Sequence, residues 1–192
     1  MTKPARPAEP SGGSTPDLAV VEVADRFQPG ELAELCDITV EAIEAGGGFG
    51  WLKPPSSDIL ERYWKGVLVV PERALFLAKL DGAVAGTGQL VRQPRNNEAQ
   101  SIACKMTTEF VAPWARGYGL ARMLIRTVED KARSLGIRVL NLDVRESQTA
   151  AIHLYESLGY QHWGTHPFYA QVDGHIVPGR YYYKDLTLDA VT

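Results

Sequence analysis

Cysteine is scarce in this chain: Cys36 and Cys104 stand alone among 192 residues, each inside an apolar or mixed segment. Two thiols so placed exclude a disulfide framework and a CxxC metal knuckle, and they fit a reducing cytoplasm. Charge of one sign is scarce too. With 20 Lys and Arg against 23 Asp and Glu the formal charge is −3, which leaves no basic surplus to hold a phosphate backbone. Nucleic acid is therefore not an expected partner. No apolar run approaches the roughly 20 residues that a membrane helix needs, so a membrane is not expected either. His153, His162, His166 and His175 show no HExxH or comparable spacing, which argues against a metal and for surface or loop positions. Thr2 to Pro16 lacks an apolar signal stretch and is rich in Pro, Ser and Gly, so residues 1–17 read as a disordered tail.

What is present is an ordinary globular composition, 45% hydrophobic and 22% charged, with chain enough for one core; residues 18–192 are expected to form a single domain. A strand over Leu18 to Val23 precedes a helix opened by Pro29-Gly30, with Leu32, Leu35, Cys36, Thr39, Val40 and Ile43 on one face, ended by Gly46-Gly47-Gly48. Ser57 can cap a second helix through Lys65, stopped by Gly66. The period then becomes that of strands, over Ala74 to Leu80, Ala83 to Val91 and Gln100 to Val111, which predicts an antiparallel meander. Leu120, Met123, Leu124, Val128 and Leu135 return to helical spacing up to Gly136. A strand over Val139 to Val144, a helix over Ala150 to Leu158, and strands over Tyr160 to Gly164 and Tyr181 to Leu186 complete the order. A helical crossover after a meander implies a mixed sheet.

The glycine-rich turn Gly117-Tyr118-Gly119 lies between a strand and a long amphipathic helix, so the helix's first free N–H groups leave the turn together. Such a helix start attracts phosphate, small residues at 117, 119 and 121 let the backbone approach a ligand, and Arg116 and Arg122 can add charge. A Walker loop needs Lys-Ser/Thr after the last glycine, where Leu120-Ala121 stand instead. A dinucleotide fingerprint needs a third glycine where Arg122 stands. An isolated GxG is most often only a turn; the second motif decides otherwise.

Arg116-x-x-Gly119-x-Ala121 resembles the coenzyme A signature of the GNAT acetyltransferase superfamily: Arg or Gln, two residues, Gly, one residue, then Gly or Ala. Leu142 to Tyr160, LDVRESQTAAIHLYESLGY, resembles the second signature of that superfamily at the separation the family uses, and is especially similar to that of ribosomal-protein alanine N-acetyltransferases. The Gly46-Gly47-Gly48-x-Gly50 loop, Gln89-Leu90, His166-Pro167-x-Tyr169-Ala170 and Tyr182-Tyr183-Lys184 are similar to the tabtoxin-resistance type, which acetylates small molecules. The resemblance implies an α/β (α+β) fold: a mixed, mostly antiparallel central sheet flanked by helices, with a splayed strand pair for the cofactor. It implies acetyl-CoA as acetyl donor, without a metal. Carried over by position, Glu109, Phe110 and Val111 would meet the pantetheine arm through their backbone, and Arg116, Gly117, Tyr118, Gly119, Leu120, Ala121 and Arg122 would hold the pyrophosphate. Gln148 stands where the family usually has an Asn that contacts the cofactor; it keeps the amide and adds a methylene.

An amine attacks a thioester only through its free lone pair, and a lysine-like amine in water titrates at roughly 10.4, so a base must take a proton. The leaving thiolate calls for a donor. The resemblance gives that second role to Tyr155, whose alternative is a core tyrosine beside Ala151, Leu154 and Leu158. For the base, Asp143 holds the place of the catalytic carboxylate in the ribosomal-protein enzymes. Glu109 is the rival, since other members use a carboxylate on the preceding strand. Alternation puts Asp143 with Val139 and Asn141, and Glu109 with Thr107 and Val111; for both, a structural ion pair or a helix-cap contact is the alternative. The Gly46 to Trp51 loop, the helix with Tyr63 and Trp64, and a loop over His166 to Ala170 with Phe168 and Tyr169 would form the acceptor pocket, Trp64 and Phe168 being more readily core residues. The expected function is transfer of an acetyl group to a primary amine of a small molecule by direct attack. Acetylation of a protein N-terminus and a non-catalytic CoA-sensing protein are the alternatives, and a homodimer stays open.

Overall fold

A computed structural model of the chain describes residues 15–23, 25–47 and 50–187; most of the expected tail, and Gly48, lie outside the described residues. The elements follow in the order β1 (Leu18–Val23), α1 (Glu31–Glu44), α2 (Ser57–Leu68), β2 (Arg73–Leu80), β3 (Ala83–Arg92), β4 (Ala103–Val111), α3 (Leu120–Ser134), β5 (Val139–Arg145), α4 (Thr149–Ser157), β6 (Gln161–Val172) and β7 (His175–Asp185). The described strands form one seven-stranded sheet in the order β1-β2-β3-β4-β5-β7-β6, in which only β4 and β5 run parallel. Helix α3 is the crossover that this parallel pair requires. Thus the mixed, mostly antiparallel sheet is the one expected.

Two apolar clusters sandwich the sheet. On one face α1 and α2 bring Leu35, Leu60 and Trp64 against Leu75, Leu77 and Phe110. On the other, α3 and α4 bring Leu124, Val128, Ile152 and Tyr155 against Cys104, Met106, Leu140 and Leu142. Each of these side chains removed from water adds about 1.5–3 kcal/mol, so both faces of the central strands are committed and their register is fixed. Lys184 and Glu129 cross the second cluster as a buried pair, 3.1 Å apart.

Three departures from the sequence expectation bear on the site. Helix α2 begins after Ser56, not Ser57, and runs through Gly66 to Leu68, because burial of Val67 outweighs the roughly 1 kcal/mol that glycine costs a helix. The segment expected as a loop over His166 to Ala170 belongs to β6, which with β7 makes a long hairpin whose pairing is interrupted between His166 and Ala170. There the ring of Tyr169 lies over Gly179, where an added Cβ would sit 2.1 Å from the ring. Only glycine admits that ring.

The third departure concerns β4. Thr87 and Gln89 of β3 stand opposite Phe110 and Thr107, so β4 carries an extra residue between them, with Thr108 at φ 53°. Opposed residues share a face, so Thr107 and Phe110 look to the α1–α2 side and Glu109 to the α4 side. The alternation expected for Glu109 with Thr107 is broken by this bulge. Downstream of Lys105 and Asn141, β4 and β5 no longer pair, since β4 stays with β3 to Val111 and β5 stays with β7 to Arg145. The sheet is therefore open along this one seam.

Candidate active site

The seam is a cavity of about 530 Å³. From β4 it is lined by Lys105 to Glu109, from β5 by Leu142 to Val144, and from α4 and its start by Gln148, Ala151 and Tyr155; Gly50, Trp51, Tyr63 and Tyr169 close the far wall. The three carboxyl and phenol groups expected to carry catalysis, Glu109, Asp143 and Tyr155, are brought to one space. They are not equivalent.

Tyr155 projects from α4 into the second apolar cluster, and its hydroxyl donates to Glu109 Oε2 at 2.9 Å. Glu109 is half-buried and opens onto the cavity. Loss of hydration pushes its carboxyl up to about 7, although the Tyr155 hydrogen bond favours the ionised form. Burial and the neighbouring Glu109 raise the Tyr155 phenol well above its ordinary value. Asp143, by contrast, has both oxygens engaged. Lys105 Nζ pairs with Oδ1, and the Tyr169 hydroxyl donates to Oδ2. Burial, with that bond to Asp143, raises the Tyr169 phenol.

The glycine turn takes up the geometry that phosphate binding asks for. Gly117 and Gly119 have φ of 89° and 88°, and no atom lies within 4 Å of where a Cβ on either would stand. Gly119 caps α3, and the first N–H groups of that helix have no partner within it. A phosphate-bearing ligand can approach them without meeting a side chain, at the positive end of the helix dipole. Leu120 is buried in the core, so it can take part only through its backbone; Tyr118 is exposed. Arg122 Nη2 donates to Ser157 Oγ at 2.8 Å, tying the turn's helix to α4. Phe110 and Val111 are buried by side chain, while their strand has lost β5 as a neighbour. Gln148 lines the cavity, and its Nε2 donates to the Gly46 carbonyl at 2.9 Å.

Trp64 is a core residue, with Nε1 donating to Thr39 Oγ1 at 3.2 Å. Phe168 is 72% exposed, neither core nor pocket. His166 accepts the Phe168 N–H and does not line the cavity. Among the described residues no group of three His, Cys, Asp or Glu is placed to hold a metal. Sequence reasoning missed Lys105, for which alternation with Thr107 was the available signal. It noted Gln89 only through the resemblance of Gln89-Leu90, with no role, because its partner Tyr63 comes from α2.

A sheet split along one parallel pair, with a bare helix N-terminus following the first strand of the split, is a geometry suited to gripping a long phosphate-bearing ligand by its backbone. The model of the acetyltransferase (GNAT) family matches residues 32–160, and the chain belongs to that family. It is an acetyltransferase. An uncharacterized N-acetyltransferase of Azospirillum brasilense, from the hisH-hisA intergenic region, is 61% identical over 128 residues, 67% of this chain and 76% of that one. The fold is shared with an N-acetyltransferase of Staphylococcus aureus Mu50, at TM-score 0.73 and 20% identity over 88% of this chain and 99% of the other. It is shared as well with a Salmonella typhimurium protein determined with its cofactor acetyl-CoA, at TM-score 0.72 and 16% identity over 88% and 94%.

Proposed function

We propose that the protein transfers an acetyl group from acetyl-CoA to the primary amine of a small molecule, with Glu109 as base and Tyr155 as acid. The observation that carries this reading is the hydrogen-bonded Glu109–Tyr155 pair, part-buried at the seam where β4 and β5 part. Acetyl-CoA fits the residues present. The turn from Arg116 to Arg122 would take the pyrophosphate on backbone N–H groups, and the stretch of β4 from Glu109 to Val111, from which β5 has parted, would meet the pantetheine arm as a neighbouring strand would. Acetyl-CoA supplies the activated acyl group; the chain's own residues manage the proton.

A carboxyl titrating near 7 is ionised in part at neutral pH and basic enough to draw a proton from an ammonium, which an ordinary carboxylate does poorly. As Glu109 gains that proton, Tyr155 no longer faces a negative charge, and its hydroxyl is free to turn to the leaving sulfur. The Glu109 proton then replaces the one Tyr155 gives up. One proton of the ammonium thus reaches the sulfur, the other that amide formation releases passes to bulk water, and both side chains return to their starting states. Asp143 is less suited to be the base because Lys105 and Tyr169 already occupy it.

A small acceptor is favoured over a protein N-terminus by the size of the seam and by the wall that Trp51, Tyr63 and Tyr169 set across it. CoA-thiol release measured over amines, amino acids, aminoglycosides and peptides tests this. Release with peptides alone overturns the small-molecule reading, and acetyl-CoA binding without release on any acceptor supports a sensing protein instead.

A further inference from the structure

Gln89 is fully buried in β3, and both ends of its amide are committed. Arg73 Nη1 donates to Oε1 at 2.6 Å, and Nε2 donates to the Tyr63 hydroxyl at 3.2 Å. A guanidinium has no acceptor, so the amide cannot be turned the other way. Tyr63 therefore uses a lone pair on Gln89 and keeps its own proton for another acceptor. The Thr108 hydroxyl, at 3.5 Å, stands at the limit of hydrogen-bond reach. The remaining direction is the cavity that Tyr63 lines. Edge contacts with Trp51 and Trp64, at 5.0 and 4.9 Å between ring centres, fix the ring that presents this proton.

Lys105 looks to the same α1–α2 side of the sheet and lines the same cavity. Its side chain is 50% exposed, and an ammonium with three donors has some left after pairing with Asp143. Each oxygen of Asp143 already has a partner, since Tyr169 holds the second one. Glu109, the carboxylate left for an incoming amine, faces the opposite side through the bulge at Thr108. One wall thus offers hydrogen-bond donors and positive charge, and the other a proton acceptor.

We propose that Tyr63, held as an obligate donor by Gln89 and Arg73, acts with Lys105 to select acceptors bearing a carboxylate or a comparable anionic oxygen group besides the amine. Tyr63 and Lys105 touch the acceptor; Gln89 is a positioning residue. The inference rests on the acetyl-transfer reading only for where the amine lies, so its test uses binding and not turnover.

Protein saturated with CoA is titrated calorimetrically with matched amines, L-phenylalanine beside phenethylamine and L-leucine beside isoamylamine. The parent protein should bind each amino acid more tightly than its decarboxylated partner. Tyr63→Phe should lose about tenfold or more on the amino acids and little on the plain amines, as for a hydrogen bond to a charged group. Gln89→Glu should do the same with Tyr63 intact, because a carboxylate paired with Arg73 would take the Tyr63 proton for itself. A merely structural Gln89 predicts the reverse, with selectivity kept by the new ion pair. Equal loss on both members of a pair, preserved preference in Gln89→Glu, or no preference in the parent would each overturn the proposal. Should Gln89→Glu fail to fold, Tyr63→Phe, which keeps the ring, decides alone. Selective binding without any CoA-thiol release would sink the acetyl-transfer reading and leave this one standing.

Discussion

The seam has two banks, each with one carboxyl group and one tyrosine hydroxyl bonded to it. On the β4 bank, Glu109 sits where the bulge has turned it under the sheet, and only Tyr155 touches it among the hydrogen bonds described. On the β5 bank, Asp143 lies on the regular face of its strand with a half-exposed lysine and Tyr169. Burial without a cation raises the first carboxyl to about 7 and makes it a usable base, whereas the second is held by a lysine on one oxygen and a phenol hydroxyl on the other. The same chemical group thus does different work because its surroundings differ.

The sharpest way to break this comparison is Glu109→Gln. The maximal rate should fall by about 10³-fold, within the range of general-base effects, and the parent's rise in rate with pH, midpoint near 7, should vanish from the residual activity. Stability gives an independent reading of the same group. The native state keeps the Glu109 proton to higher pH than the unfolded chain does, so the stability linked to it is complete in acid and lost as pH rises through about 7. A glutamine cannot ionise. Above neutrality Glu109→Gln should therefore melt a few degrees higher than the parent in a calorimetric scan, and an inactive variant that melts lower would mean the carboxyl is mainly structural.

Tyr155→Phe tests the other half of that pair and should lower the maximal rate about 10²-fold with acetyl-CoA affinity little changed. Full activity on the true acceptor would remove the acid. Next in size is Gly119→Val, a control that leaves both banks intact. A β-branched residue at φ 88° should weaken acetyl-CoA binding about tenfold, read from a smaller thermal shift at fixed ligand, in a protein that still folds. Asp143→Asn should have the smallest effect on the maximal rate, a few-fold at most, and appear chiefly as a higher acceptor KM. A larger fall in rate than for Glu109→Gln would exchange the roles of the two banks.

Much of the fold was legible because its signals are local. The switch from helical to alternating period, the glycines at 46, 82, 119, 136 and 159, and the spacing of the two motifs located all four described helices and the middle of the sheet. The ends of elements were less legible. Gly66 reads as a stop, yet the buried Val67 carries the helix past it, and Tyr169 lies in strand β6, where Gly179 across the hairpin makes room for its ring. Of the site, Glu109, Asp143 and Tyr155 were named from sequence, but both carboxylates stayed open as base.

By itself the sequence determined the family, the order of the elements and the glycine turn at the start of α3, since each depends on residues close together in the chain. Tertiary structure alone decided which carboxyl meets Tyr155, that Lys105 and Tyr169 claim the other, and that Gln89 faces Tyr63. The bulge at Thr108 is set by pairing with β3, and one extra residue there reverses the face of Glu109. No alternation rule applied to β4 by itself contains that information, because the residue count that matters is taken across two strands.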